Sequence, residues 1–284
     1  MTGIIGGLLA ALLWGSSTTT DARATRIVGS VGVLGWGSIA GCLLTLPVAL
    51  VFAHDTSDVG QSGLVWLTVS SLAAVAAFGP FYRAVRLGPV PLVAGIGALE
   101  GAVAASISFA TGERLPALTL LGLVIALGGM IFVLTSVRVP VPAGHGHPLQ
   151  AGLLATLAAS LFGLSLFAGA RAIEQVPELW LPAGSRTFGT VLLALPLALL
   201  GHLPRPGRFL RFVFYSALAQ STGYFAFLVA ADSSGISVPA VLASQASVVG
   251  MVISFLVLGE RLSRRQLAGI AALLTGVALV AATR

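Results

Sequence analysis

Gly112-Glu113-Arg114-Leu115 returns as Gly259-Glu260-Arg261-Leu262, 147 positions further along the chain. At the same offset Gly122 meets Gly269, Gly129 meets Gly276 and Gly88 meets Gly235. Earlier in each half, Leu13-Trp14-Gly15 aligns with Leu161-Phe162-Gly163, and Leu46-Pro47-Val48-Ala49-Leu50 with Leu195-Pro196-Leu197-Ala198-Leu199, at offsets of 148 and 149. A single four-residue match carries little weight, but matches in collinear order imply a duplicated unit. The break between copies is the polar stretch Val137 to Pro148, VRVPVPAGHGHP, whose prolines lack an amide donor and cannot continue a helix. The expected repeats are residues 1–140 and 145–284.

Composition says what is duplicated. Of 284 residues, 57% are hydrophobic and 8% charged, against about 45–50% and 25% in soluble domains, which excludes a water-soluble protein. A spanning helix needs about 20 apolar residues. Stretches of that length fall at about 3–20, 30–53, 62–84, 89–110, 116–136, 149–172, 179–201, 210–231, 237–258 and 266–283. Asp21 to Arg26 reads as the first connection. The expected fold is therefore an all-α integral membrane protein with ten transmembrane helices. Five per unit is an odd number, so the second unit enters the membrane upside down and the repeats are inverted.

The charges agree. All 15 basic residues are arginine. Eleven lie in the connections after helices 1, 3, 5, 7 and 9, three (Arg114, Arg171 and Arg284) on the opposite side, and Arg186 inside helix 7. The positive-inside rule then puts both termini on the non-cytoplasmic face of a bacterial-type inner membrane. A net charge of +6 is accounted for by this orientation, and no nucleic-acid partner is expected. Cys42, the only cysteine, reads as a packing residue, so neither a disulfide framework nor a cysteine metal cluster is available. The N-terminus lacks a basic n-region and is expected to remain as the first helix. His145 and His147 stand in a linker without further ligands, too few for a stable metal site. No cofactor is expected.

Inverted repeats are the architecture of secondary transporters, which enclose a site near the midplane and expose it to either side in turn. Leu13-Trp14-Gly15-Ser16, the two Gly-Glu-Arg-Leu motifs and the Gly122/Gly129 and Gly269/Gly276 pairs together resemble the drug/metabolite transporter superfamily, specifically its ten-helix EamA-type exporters. The resemblance spans the chain. It implies efflux of small metabolites, notably amino acids or organic cations, from a cavity lined mainly by helices 1, 3, 4, 6, 8 and 9. A small-molecule substrate and the lipid bilayer are the implied partners, and a monomer the expected state.

On those helices the candidate substrate-binding residues are Trp14 and Ser17, Phe78 and Tyr82, Glu100, Phe162 and Ser165, Gln220 and Tyr224, and Ser244 and Gln245. Phe78 and Tyr82 are four apart and share a helix face, as do Gln220 and Tyr224. Glu100 lies mid-helix in GIGALEGAVAA. An acid at that depth costs about 2.5–3.5 kcal/mol on insertion scales and must face the bundle interior or a partner. It reads either as a proton carrier or ammonium counter-ion, or as a buried acid that fixes helix packing. The family often has a proline near this point, so Glu100 is a departure and inherits no role. Arg186 has three readings: a partner for Glu100, a contact to a substrate carboxylate, or a side chain reaching to the interface along its apolar stem. The glycine pairs let helices 5 and 10 approach neighbours closely.

A membrane-embedded enzyme would need a clustered acid, base or metal set at depth, and Glu100 with Arg186 does not form one. Phosphorylated substrates would call for several cations in the cavity. The expectation is export of amino acids by alternating access, with organic-cation/proton antiport as the alternative and a passive channel third.

Overall fold

The computed structural model describes residues 2–53, 59–87, 96–97, 99–135, 148–246, 248–250, 252–253 and 264–282. These residues form ten helices and no strand. The first two come from one helical stretch, Thr2–Phe52, broken at Gly29, whose φ of 74° and ψ of 168° lie in a region open essentially to glycine alone. They are α1 (2–28) and α2 (30–52). Then come α3 (Gln61–Leu87), α4 (Glu100–Ala110), α5 (Ala117–Thr135) and α6 (Pro148–Ala172). The seventh, α7 (180–199), runs as Trp180–Gly189, a π turn over Thr190–Ala194, and Leu195–Leu199. Then follow α8 (Leu210–Ser234), α9 (Ser237–Ala243) and α10 (Arg264–Ala282).

Asp21 to Arg26, expected as a connection, is helical. Between Ser17 and Gly29 the chain contains neither glycine nor proline, so nothing stops the backbone hydrogen-bond ladder until Gly29 does. The π turn has a local cause as well. Pro196 has no N–H to offer, and the turn before it widens so that the Leu195 N–H bonds the Thr190 carbonyl five residues back.

Ile27–Phe52, Gln61–Phe81, Leu149–Ala172 and Leu210–Ser234 are each long and apolar enough to cross a membrane. The outward faces are apolar too: Leu199 is 79% exposed, Leu149 77% and Phe52 71%. Helices satisfy their own backbone donors and acceptors, so such a surface is solvated by lipid and not by water. The chain is an integral membrane protein.

The connections gather at two ends. At one end the Gly63 N–H donates to Gln175 Oε1 (2.9 Å), Arg171 Nη2 donates to Thr111 Oγ1 (3.4 Å), and Ser237 meets Glu113. At the other, Trp36 Nε1 donates to the Pro204 carbonyl (2.9 Å). Among the described residues the connections after α2, α4, α6 and α8 thus share one end and those after α1 and α7 the other, as crossing at each of these helices requires.

The duplication is visible in the packing. A Cβ on Gly15 of α1 would stand 2.7 Å from the Ala246 carbonyl oxygen and from Val249 beyond α9. A Cβ on its repeat partner Gly163 of α6 would stand 2.7 Å from the Glu100 carbonyl oxygen and from Val103 of α4. Real Cβ contacts do not come this close, so both helix pairs depend on a bare backbone at the same place in each repeat. Gly276 of α10 lies against the Gly122 carbonyl and Ala126 of α5, so the neighbour that the glycine pairs allow helices 5 and 10 to approach is each other.

Candidate functional site

Gln220, on α8, sits at the centre of a polar network that joins three helices. Its Oε1 accepts from Arg186 Nη2 of α7 (2.8 Å). Its Nε2 donates to Asp21 Oδ2 of α1 (3.0 Å) and to Ser216 Oγ one turn away on α8 (2.8 Å). Its backbone carbonyl accepts from Trp14 Nε1 (3.0 Å). The Arg186 stem fits because residue 41 of α2 is glycine: a Cβ there would overlap its Cδ. Arg186 thus finds a protein partner in Gln220 and not in Glu100, and it still lines a cavity beside this network.

These groups open onto a cavity of about 40 Å³, also lined by Ser38, Phe78 and the apolar Val33 and Leu34. Asp21 stands beyond the apolar stretch Thr2–Ser17. Burial pushes its carboxyl up to about 6, against the opposing pull of Ser216, Arg186 and Gln220. Phe78 continues the wall into an aromatic group, with Phe162 edge-on at 5.2 Å and Phe81 at 6.3 Å from Phe162.

One turn along α8 a second cluster forms. Tyr224 Oη and Ser70 Oγ are 2.8 Å apart, Ser70 Oγ donates to the Ser165 carbonyl (2.9 Å), and Ser165 Oγ returns a bond to the Ser70 carbonyl (2.9 Å). Gly169 leaves room for the phenol. Tyr224 also stacks on Phe227 at 6.2 Å.

The expected site residues therefore divide. Trp14, Phe78, Phe162 and Gln220 come together at or beside the cavity. Tyr224 and Ser165 meet at Ser70. Ser17 and Ser244 bond carbonyls three residues back in their own chain segments. Gln245 is 2% exposed, and its Nε2 donates to the Val241 carbonyl while its Oε1 lacks a partner among the described residues. The Tyr82 side chain lies outside the described residues, as do His145 and His147 of the linker. Glu100 opens the described part of α4, with its carbonyl against Gly163 of α6. Cys42 is half-buried, its Sγ 3.6 Å from Thr187 Oγ1.

Asp21, Ser216 and Ser70 were not foreseen. Asp21 carried a readable signal, since Trp14, Ser17 and Asp21 follow one another at intervals of three and four and mark one helix face.

Comparison with known proteins completes the assignment. Residues 1–135 and again 149–282 match the EamA-like transporter family. No curated protein matches the sequence. A solved crystal structure of a protein 19% identical in sequence superposes with a TM-score of 0.79, covering 99% of this chain and 96% of that one, which shows a shared fold. With both repeats matched, the chain belongs to the EamA-like transporter family and is a multi-pass membrane transporter of small molecules.

Proposed function

We propose that the chain exports small metabolites, foremost amino acids, across a bacterial-type inner membrane by alternating access, with both termini on the non-cytoplasmic side. The observation that carries this reading is the pair of related contacts, Gly15 over the α9 segment and Gly163 over α4. A carrier that faces each side in turn needs two equivalent interfaces that exchange roles, and the duplication supplies them. An amino-acid substrate is supported by sparse charge among aromatic rings: the Arg186 guanidinium and the Asp21 carboxylate lie on either side of Gln220, next to Phe78. Such a surface offers partners to both ends of a zwitterion.

A second reading, organic-cation/proton antiport, is favoured by Glu100, for which no partner stands among the described residues. Counterflow in proteoliposomes decides between them. Vesicles preloaded with an unlabelled amino acid should accumulate the labelled one transiently. Simple equilibration without overshoot would make the protein a pore. Overshoot with aromatic cations alone would select the second reading.

A further inference from the structure

We propose that Asp21 is a proton-exchange site, and that the proton it holds or releases sets how firmly α1 is tied to the second repeat through Gln220. The exporter reading is needed only for the consequence in transport.

The geometry leaves Gln220 little choice of orientation. Arg186 has donors and no acceptors, so the amide oxygen must face it. The amide nitrogen is then forced toward Asp21 and Ser216, and both of its hydrogens are committed. An ionised Asp21 accepts that bond with charge assistance, and a protonated one only as a neutral acceptor, at roughly half the strength. Protonation thus weakens the link from α1 to α8 and, through the same amide, to Arg186. It also removes the negative charge facing the Arg186 guanidinium. There is room for water beside it: Asp21 lines a cavity of about 40 Å³, and a water needs about 10–15 Å³.

Among the described residues that line the cavity there is no second acid. From α7 the charged group facing Asp21 is Arg186. On α8, Arg211 is turned onto its own neighbour Phe212, 4.6 Å from the ring centre. Residues 30–52 of α2 include no Asp, Glu, Arg or His. From α3 the cavity receives Phe78, and Arg83 is exposed. On α1 the side chains of Arg23 and Arg26 lie outside the described residues. Glu100 belongs to α4 and is not among the cavity-lining residues.

The test is infrared titration of the full-length protein in lipid vesicles, with the proton as the only ligand. The wild type should show a protonated-carboxyl band that bleaches as pH rises through a midpoint near 6. Glu100 is a second carboxyl shielded from water, so the comparison is made in the Glu100→Gln background, where the band should persist and where adding Asp21→Asn should abolish it. Arg186→Gln should raise the midpoint by about one pH unit, since it removes the cation that favours the charged form. Asp21→Glu should restore a band if Asp21→Asn proves unstable. A band surviving when Asp21→Asn is added to Glu100→Gln, a band lost in Glu100→Gln alone, a midpoint unmoved in Arg186→Gln, or the absence of any titrating band overturns the assignment.

In transport, Asp21→Asn should lower stimulation by a pH gradient about tenfold, roughly 1.4 kcal/mol. Persistence of that stimulation overturns the coupling. Absence of counterflow in the wild type counts against the exporter reading and leaves the infrared result standing.

Discussion

Glu113, from the first Gly-Glu-Arg-Leu motif, reaches 124 residues along the chain to hold the start of α9. Its Oε2 accepts from Ser237 Oγ (2.7 Å) and from the Ser237 N–H (3.2 Å), and Ser108 Oγ of α4 donates to the same atom. Glu113→Ala removes all three bonds at once. Loss of a helix N-terminal acceptor costs about 0.5–2 kcal/mol, and a hydrogen bond to a charged group is worth about 1.5–3 kcal/mol when water cannot replace it. The carboxylate is half-buried, so water recovers part of the loss, and the expected destabilisation is about 2–3 kcal/mol. Ser237→Ala takes away one hydroxyl and should cost about 1 kcal/mol. The two losses should overlap, with a coupling near 1 kcal/mol in a double-mutant cycle. Reversible unfolding in mixed detergent and lipid micelles measures each variant. A cost for Glu113→Ala below about 0.5 kcal/mol, or strictly additive losses, would refute the idea that this motif fastens α4 to α9.

Gly29→Ala should destabilise by about 1–3 kcal/mol in the same assay, because the break between α1 and α2 needs a φ of 74° that alanine resists although no atom stands within 4 Å. Gly101→Val should cost about 1–3 kcal/mol or more by driving α4 away from Ser244 and the Ala240 carbonyl. Tyr224→Phe should lose about 0.5–1.5 kcal/mol through the lost bond between Tyr224 Oη and Ser70 Oγ yet retain transport, whereas Tyr224→Ala should impair both. A reporter fused after Arg284 should be inactive in the cytoplasm, and activity there would reverse the proposed orientation.

Most of the helix pattern was legible because lipid demands it. Apolar runs of spanning length at 149–172 and 210–231 became Pro148–Ala172 and Leu210–Ser234, since a helix satisfies its own backbone in hydrocarbon and needs a continuous apolar run of about 20 residues to cross it. The repeat was legible because bare-backbone contacts tolerate little substitution, which kept Gly15 and Gly163 in register. Asp21 was misplaced for a different reason. A polar run containing an acid and two arginines resembles a connection by composition, and only the lack of a helix breaker before Gly29 said otherwise. The link from Glu113 to Ser237 was beyond reach, because a carboxylate in a turn gives no sign of which distant helix start it will meet.

The paired glycines give the molecule something most proteins lack, a matched control within one chain. Gly15 and Gly163 descend from the same place in a doubled unit, and each presses on a partner helix through the same kind of gap. A methyl group added at either therefore poses one question to two surroundings. Equal responses would mean that the halves have stayed interchangeable in strength. Unequal ones would measure, without any reference to a second protein, how far the two copies have drifted apart since they were alike.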